Sequence, residues 1–329
     1  MATEDGPLER RHPLITLVPS TLTRMLAPIA AGTAVIAMAP LMGGYSNTNY
    51  RVSLAGWPAP VVLRLYVGGA AVAHIERAIM ARLRGRVPMP ELLFADPDGQ
   101  IVGQPYAILS WVAGEPLDAA LATADAATTA ACAHAAGQVL AAIHAEQMPC
   151  AGFFAPDLSI LTPMSGAGSE WAAYVTNCIV PGNGHRWLGE ARTERLLGFV
   201  AEHAAAMTTT GEPAVLLHAD FQGQNLLMRP AGASWEVAAV LDWEFAYAGS
   251  PCFDIGQFLR IEDDQPAQYA QSFIAGYRAG GGTLPPDWHR RAKLLDLLNL
   301  AQFLDTPDAR PRLHAQVIRW IDATLMRQI

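Results

Sequence analysis

The sequence predicts a two-lobed α+β protein. β-rich apolar runs crowd the first third, Ala-rich and amphipathic helical stretches fill most of the rest, and the change falls near Ser110–Gly114. Residues 1–110 are expected to form a small β-rich lobe and 111–329 a larger, mainly helical one, with ligands favouring the cleft between such lobes. A chain of 329 residues can bury cores of that kind, and 51% hydrophobic against 16% charged residues is a folded composition. The net charge of −8 argues against a nucleic-acid partner, which needs clustered Lys and Arg. Four scattered cysteines with no CxxC pair suggest neither zinc nor disulfides and fit a cytoplasmic setting.

The elements follow in order. The first ~13 residues are polar and charged and read as a loose terminus. Met25–Gly44 carries no charge, but Pro28, Pro40 and the charged segment before it favour a buried helix running into a buried strand over a membrane span. Ala34–Met42 reads as that strand, Tyr50–Leu54 as the next, and Val61–Val67 as a third, broken by one charge, Arg64. Ala70–Arg84 is helical, with Ile75, Ile79 and Leu83 on one face, and Pro88 and Pro90 close it. Asp96-Pro97-Asp98-Gly99 is a turn leading towards the apolar run Tyr106–Val112. Asp118–Gln147, Glu190–Met207 and Arg290–Phe303 are expected to be helices. Between the last two, Ala214–Ala246 holds two short strands flanking a polar loop.

That loop carries the chemistry. In Leu217-His218-Ala219-Asp220-Phe221-Gln222-Gly223-Gln224-Asn225-Leu226, apolar flanks place a carboxylate and an amide, five residues apart, at a buried position. Val237–Leu241 then delivers Asp242. Phosphoryl transfer asks a protein to place the nucleophile, hold Mg²⁺ against the phosphates and neutralise charge. Asp242 and the Asn225 side-chain oxygen suit Mg²⁺, which takes oxygen ligands, and Asp220 remains to accept the hydroxyl proton. Arg64, a charge inside an apolar strand, is costly unless a partner awaits it.

His218-x-Asp220-x4-Asn225 followed by Leu241-Asp242-Trp243 resembles the aminoglycoside phosphotransferase and choline kinase-like family. The likeness runs in order from about Met42 to Arg260. Gly43-Gly44-Tyr45-Ser46-Asn47 resembles the loop covering the nucleotide, Val62-Leu63-Arg64-Leu65 the strand with the phosphate-binding cation, and Glu76 lies on the helix supplying its partner. Pro88-Met89-Pro90 resembles the turn after that helix, and Gly249–Gly256 the segment whose buried Asp, here Asp254, braces the catalytic loop.

The resemblance implies a protein-kinase-like fold, ATP with GTP as the alternative nucleotide, Mg²⁺, and a small hydroxyl acceptor. That acceptor is an antibiotic such as an aminoglycoside or macrolide, or a choline-like or sugar metabolite. Asp220 would be catalytic and Asn225 and Asp242 would hold metal; Ser46, Asn47, Arg64, Glu76 and the backbone of Ser110–Val112 would serve the nucleotide, and His218 and Asp254 would be supports. Three departures stand out: Arg64 where protein kinases carry Lys, Gly223 where Pro is usual, and Ala219 where Gly is common. The protein-kinase Arg-Asp pair and Ala-Pro-Glu element are missing, which argues against a peptide substrate.

Blander readings compete. Trp111 either meets adenine or fills the hinge. Glu244 approaches the metal or only packs, and the run Glu262-Asp263-Asp264 lines a cationic acceptor's pocket or is a solvated face. The alternative function is a nucleotide-binding scaffold without turnover. A hydrolase built on His218 lacks a Gly-x-Ser-x-Gly nucleophile. Membrane and nucleic-acid partners are not expected, and the sequence leaves the oligomeric state open.

Overall fold

The structure is a computed structural model that describes residues 12–42, 46–209, 211–232 and 234–327. It divides into two compact units. The first holds the described residues up to Thr123, together with Phe154–Ser159 and Gln224–Glu244; the second holds Ala124–Phe153, Ile160–Gly223 and the rest from Phe245. The division is not a single cut after residue 110: the chain returns to the first unit for the segment that carries Asn225 and Asp242.

In the first unit, helix α1 (Pro19–Ala30) precedes an antiparallel sheet of β1 (Val35–Pro40), β2 (Thr48–Leu54), β3 (Val61–Leu65), β4 (Leu92–Asp96) and β5 (Tyr106–Ser110). Their order is β1-β2-β3-β5-β4. Period-two alternation sorts the central strands. Tyr50, Val52, Leu54, Leu63 and Leu65 pack with Leu22, Met25 and Leu26 of α1. The opposite face, with Val62 and Tyr66, receives Ala73 and Met80 of helix α2 (Gly69–Leu83). Arg64 shares that second face because it stands between Val62 and Tyr66.

One expectation needs correction here, and another lies outside the described residues. The helix before the first strand is present, but the strand is not buried: β1 is the sheet's edge, pairs only with β2, and leaves Ile36 69% exposed. Gly43, Gly44 and Tyr45 of the expected nucleotide-covering loop lie outside the described residues.

Completing the first unit, a hairpin of Leu226–Ala231 and Ser234–Val240 is joined on one side by the short strand Glu115–Pro116.

In the second unit, the helix expected over 118–147 is two helices, Leu117–Thr123 and Ala126–His144, and only the latter belongs to this unit. The break falls at Asp125, whose carboxylate caps the second helix by accepting from the Thr128 amide at 2.7 Å. Among the described residues, Ala126–His144 is the helix long and apolar enough to cross a membrane. Here it is packed against helix Gln268–Ala279. Two glycines permit the approach: a Cβ on Gly137 would stand 2.1 Å from the Phe273 carbonyl oxygen, and one on Gly276 would stand 2.0 Å from that of His134. Around them, Phe258 stacks on Phe273 and Tyr269, with ring centroids 4.0 and 5.1 Å apart.

Candidate active site

The first unit collects a buried ionic cluster. Arg64, on β3, and Glu76, on α2, are 4% and 2% exposed. Arg64 Nε lies 3.2 Å from Glu76 Oε2 without hydrogen-bond geometry, and a terminal guanidinium nitrogen donates to Asp242 Oδ1. The guanidinium also stands over the Tyr66 ring, 5.5 Å from its centroid, and Tyr66 in turn hydrogen-bonds the Glu76 carboxylate. Burial is the largest influence on Glu76 and pushes its carboxyl up to about 7, against the opposing pull of Arg64. Burial opposes charge on Arg64 as well, but Asp242 and Glu76 outweigh it and hold the guanidinium firmly protonated. This is the partner that a lone arginine in an apolar strand demanded.

The hairpin explains how Asn225 and Asp242 meet. Leu226 pairs with Val240 at its open end, so the residues just outside the pair, Asn225 and Leu241, face each other, and the Leu241 amide donates to the Asn225 carbonyl at 2.8 Å. Asp242 follows immediately with φ +64°, a left-handed conformation that costs a non-glycine residue on the order of 1 kcal/mol. Asn225, 8% exposed, and Asp242 supply an amide oxygen and a carboxylate. Both are hard oxygen donors of the kind Mg²⁺ takes together with phosphate oxygens and water. Arg64 occupies Asp242 Oδ1, which leaves Oδ2 as the oxygen to offer a cation. Among the described residues no group of three or more His, Cys, Asp or Glu side chains could hold a metal ion.

Asn47 and Ser110, two of the residues expected to serve the nucleotide, make hydrogen bonds within the protein. Asn47 donates through Nδ2 to Glu244 Oε2 at 2.9 Å and accepts through Oδ1 from the Val67 amide at 3.0 Å. Its amide thus clamps the start of β2 to the residues after β3, and Glu244 is its anchor. Ser46 is 8% exposed. Ser110 donates its backbone N–H to the Glu91 carbonyl, and its hydroxyl accepts from the Glu91 amide, both at 2.8 Å. The Ser110 amide expected to meet adenine is therefore engaged within the sheet; Val112 lies beyond the end of β5. Trp111 carries the Arg51 guanidinium 4.8 Å from its ring centroid.

In the second unit, Asp220 sits on a loop held almost peptide by peptide. Asp254, fully buried, accepts the amides of His218 and Ala219, both at 2.8 Å, and also meets His144 Nε2 at 3.1 Å. With Nε2 protonated towards Asp254, His144 Nδ1 accepts from the Tyr277 hydroxyl at 2.9 Å. Gln257 clasps both sides of Asp220: its Oε1 accepts the Phe221 amide at 3.1 Å, and its Nε2 donates to the Ala219 carbonyl at 2.9 Å. Phe221 inserts into the aromatic core, 5.8 Å from the Phe258 ring. His218 Nδ1 accepts the Asp220 amide at 3.2 Å, and Gln222 Nε2 donates to Asp220 Oδ1 at 2.5 Å. Ala219 has φ +62°, which explains why glycine suits this position.

His144 and Gln257 escaped the sequence reading. Gln257 left one signal, since it follows Asp254 by three residues and shares a helix face with it. His144 left none, standing in an Ala-rich helix that reads as core.

The acidic run does not present free charge. Glu262 pairs with His289 at 3.0 Å, Lys293 at 2.8 Å and Arg327 at 3.0 Å; Asp263 pairs with Arg327 at 2.6 Å and Asp264 with Arg319 at 3.4 Å. Burial works against charge on Glu262, yet these partners hold its carboxyl down to about 2. The run balances cations of its own unit.

The fold and this order of side chains have counterparts among known proteins. The chain is 26% identical over 228 residues, 64% of its length, to acyl-CoA dehydrogenase family member 10 of Mus musculus, and spans 19% of that protein. It superposes on the GDP and kanamycin complex of APH(2")-IIia with a TM-score of 0.71 at 15% identity, covering 94% of this chain and 99% of the other. With a thermostable mutant of the aminoglycoside phosphotransferase APH(4)-Ia, in ternary complex with AMP-PNP and hygromycin B, the TM-score is 0.68 at 19% identity, covering 93% and 98%. Both likenesses show the protein-kinase-like fold of the aminoglycoside phosphotransferases. Residues 38–294 match the pattern of the phosphotransferase enzyme family. That match takes in well over half of the chain and every candidate site residue, so the protein belongs to the phosphotransferase enzyme family.

Proposed function

We infer that the protein transfers the γ-phosphate of ATP to a hydroxyl of a small molecule. The observation that carries this reading is the pairing of Asn225 with the Asp242 turn at the hairpin's open end, with Arg64 fixed on Asp242. That set offers a cation and two oxygen donors to a nucleotide's phosphates and metal. Solved relatives of the fold bind AMP-PNP or GDP together with an aminoglycoside, which supports a nucleotide and a hydroxylated acceptor here.

In the reaction, the bond between the γ-phosphorus and its bridging oxygen breaks and a bond from the acceptor oxygen forms, with ADP leaving. Asp220 orients the acceptor hydroxyl and takes its proton, and Gln222, on Asp220 Oδ1, fixes the carboxylate's orientation. Arg64, kept charged by Asp242 and Glu76, neutralises phosphate charge. Mg²⁺ would be held by Asn225 and Asp242 and would supply further neutralisation of the phosphates. The Asn47–Glu244 hydrogen bond ties the residue just before β2 to the residue two after Asp242.

The test is ATP consumption by purified protein across a panel of hydroxylated antibiotics and metabolites, with Asp220→Ala as the blank. Acceptor-dependent consumption that disappears in the blank is expected. Consumption that persists in the blank would overturn the mechanism.

A further inference from the structure

Tyr66 belongs to the buried ionic cluster of the first unit, yet the reaction above gives it no task. In Leu63-Arg64-Leu65-Tyr66 the two leucines join the core under α1. The alternation continues past the end of β3 and turns Arg64 and Tyr66 to the other face. There Tyr66, 3% exposed, packs with Ala73 and Met80 of α2. Glu76 stands three residues after Ala73 and four before Met80, so it shares their helix face and meets the same tyrosine.

This one side chain makes two contacts within the cluster. Its ring carries the Arg64 guanidinium 5.5 Å from the centroid, within the range of a cation–π contact. Its hydroxyl donates to the Glu76 carboxylate, and burial together with that carboxylate keeps the phenol protonated. The cation and its counter-ion thus rest on the same tyrosine. Their own contact is imperfect: Arg64 Nε is 3.2 Å from Glu76 Oε2, and neither atom has a hydrogen-bond partner among the described residues. A guanidinium flanked by two carboxylates, one of them misaligned, has more than one arrangement open to it. Tyr66 removes that freedom, and its own backbone is pinned. Its N–H donates to the Pro105 carbonyl at 3.0 Å, and its carbonyl accepts from Gln104 Nε2 at 2.8 Å.

We propose that Tyr66 is a positioning residue of phosphoryl transfer, whose ring and hydroxyl hold Arg64 and Glu76 in the arrangement that presents the guanidinium to the nucleotide's phosphates. The proposal rests on the phosphotransferase reading above. Without the ring, Arg64 has to be ordered when the phosphates arrive, and nucleotide affinity weakens by that ordering. Without the hydroxyl, Glu76 loses a donor that favours its carboxylate form, so its protonation moves to higher pH. The charged groups that face Glu76 are Arg64, from β3, and Asp242, after the hairpin; the loss of a hydroxyl alters neither.

The experiment compares the full chain with Tyr66→Leu and Tyr66→Phe, by calorimetric binding of MgAMP-PNP and by thermal unfolding across pH. Tyr66→Leu should raise the Kd about tenfold, the worth of a buried cation–π contact. Tyr66→Phe keeps the ring and should bind within about threefold of the parent. Its thermal midpoint should go on falling at pH values where the parent's has levelled off, above about 7, because Glu76 holds its proton longer. Equal weakening of binding in the two variants, or none in Tyr66→Leu, would overturn the proposal, as would a pH profile of Tyr66→Phe that coincides with the parent's. Should Tyr66→Leu fail to fold, the Tyr66→Phe profile decides alone, in the same sense. A parent that binds no MgAMP-PNP would defeat the phosphotransferase reading instead, whereas a parent that binds and variants that match it defeat this proposal only.

Discussion

Asp242, in the sheet-rich unit, is gripped by a buried guanidinium, whereas the loop bearing Asp220, in the helical unit, is gripped by the carboxylate of Asp254 and the amide of Gln257 acting on its backbone. The two regions solve different physical problems. The first must keep like charges together out of water: Glu76 and Asp242 crowd one arginine, and the strain appears as a Glu76 carboxyl raised to about 7. The second must hold one carboxylate in one direction, and it does so by fixing peptide groups on both sides. Electrostatics dominates the first region and geometry the second, so substitutions should separate the two.

The largest effect on stability is expected from Arg64→Met. It strands two carboxylates of a buried cluster and should destabilise the fold by about 3 kcal/mol, read from denaturant unfolding. Nucleotide affinity, read by calorimetry, should fall with it. Gln257→Leu should act on the other region: the lost clasp lets Asp220 turn, lowering kcat by roughly tenfold to a hundredfold while the KM for ATP stays put. A loss confined to the KM for ATP would erase the distinction between the regions.

The pH dependence belongs to the first region. Glu76 has a folded-state value above its unfolded one, so the native protein binds the extra proton and stability falls as pH rises from about 4.5 to about 7. The contribution is roughly 1–3 kcal/mol, and Glu76→Gln should flatten that slope in the thermal midpoint. An unchanged slope would mean that the cluster is not the source. Smallest of all, Ala219→Gly should stabilise by about 0.5–1 kcal/mol, because glycine adopts φ +62° without a Cβ penalty. A destabilised variant would show that Ala219 is not strained in solution.

Much of this was legible in the sequence, and the reasons differ by element. The strands and helices of the first unit announce themselves by periodicity, and Arg64 by its cost in an apolar strand. Asp220, Asn225 and Asp242 stand out in the sequence because their residue types and order meet the demands of phosphoryl transfer. The supports do not. His144 meets Asp254 across 110 residues and Gln257 meets Phe221 across 36; nothing local marks His144, and only the spacing from Asp254 marks Gln257. The left-handed turns at Ala219 and Asp242 fall on residues other than glycine, so no glycine in the sequence announces them. Edge exposure of β1 was hidden because an uncharged strand reads the same at the rim of a sheet as at its centre.

The central claim is that Asp220 serves the acceptor while Asn225, Asp242 and Arg64 serve the nucleotide. The most direct measurement pairs turnover with calorimetric binding of Mg²⁺ and AMP-PNP in Asp220→Asn. Turnover should fall by about 10²- to 10⁴-fold, the usual worth of a general base, with nucleotide affinity at the parent's value. Turnover that survives, or nucleotide affinity that collapses with it, would contradict the assignment.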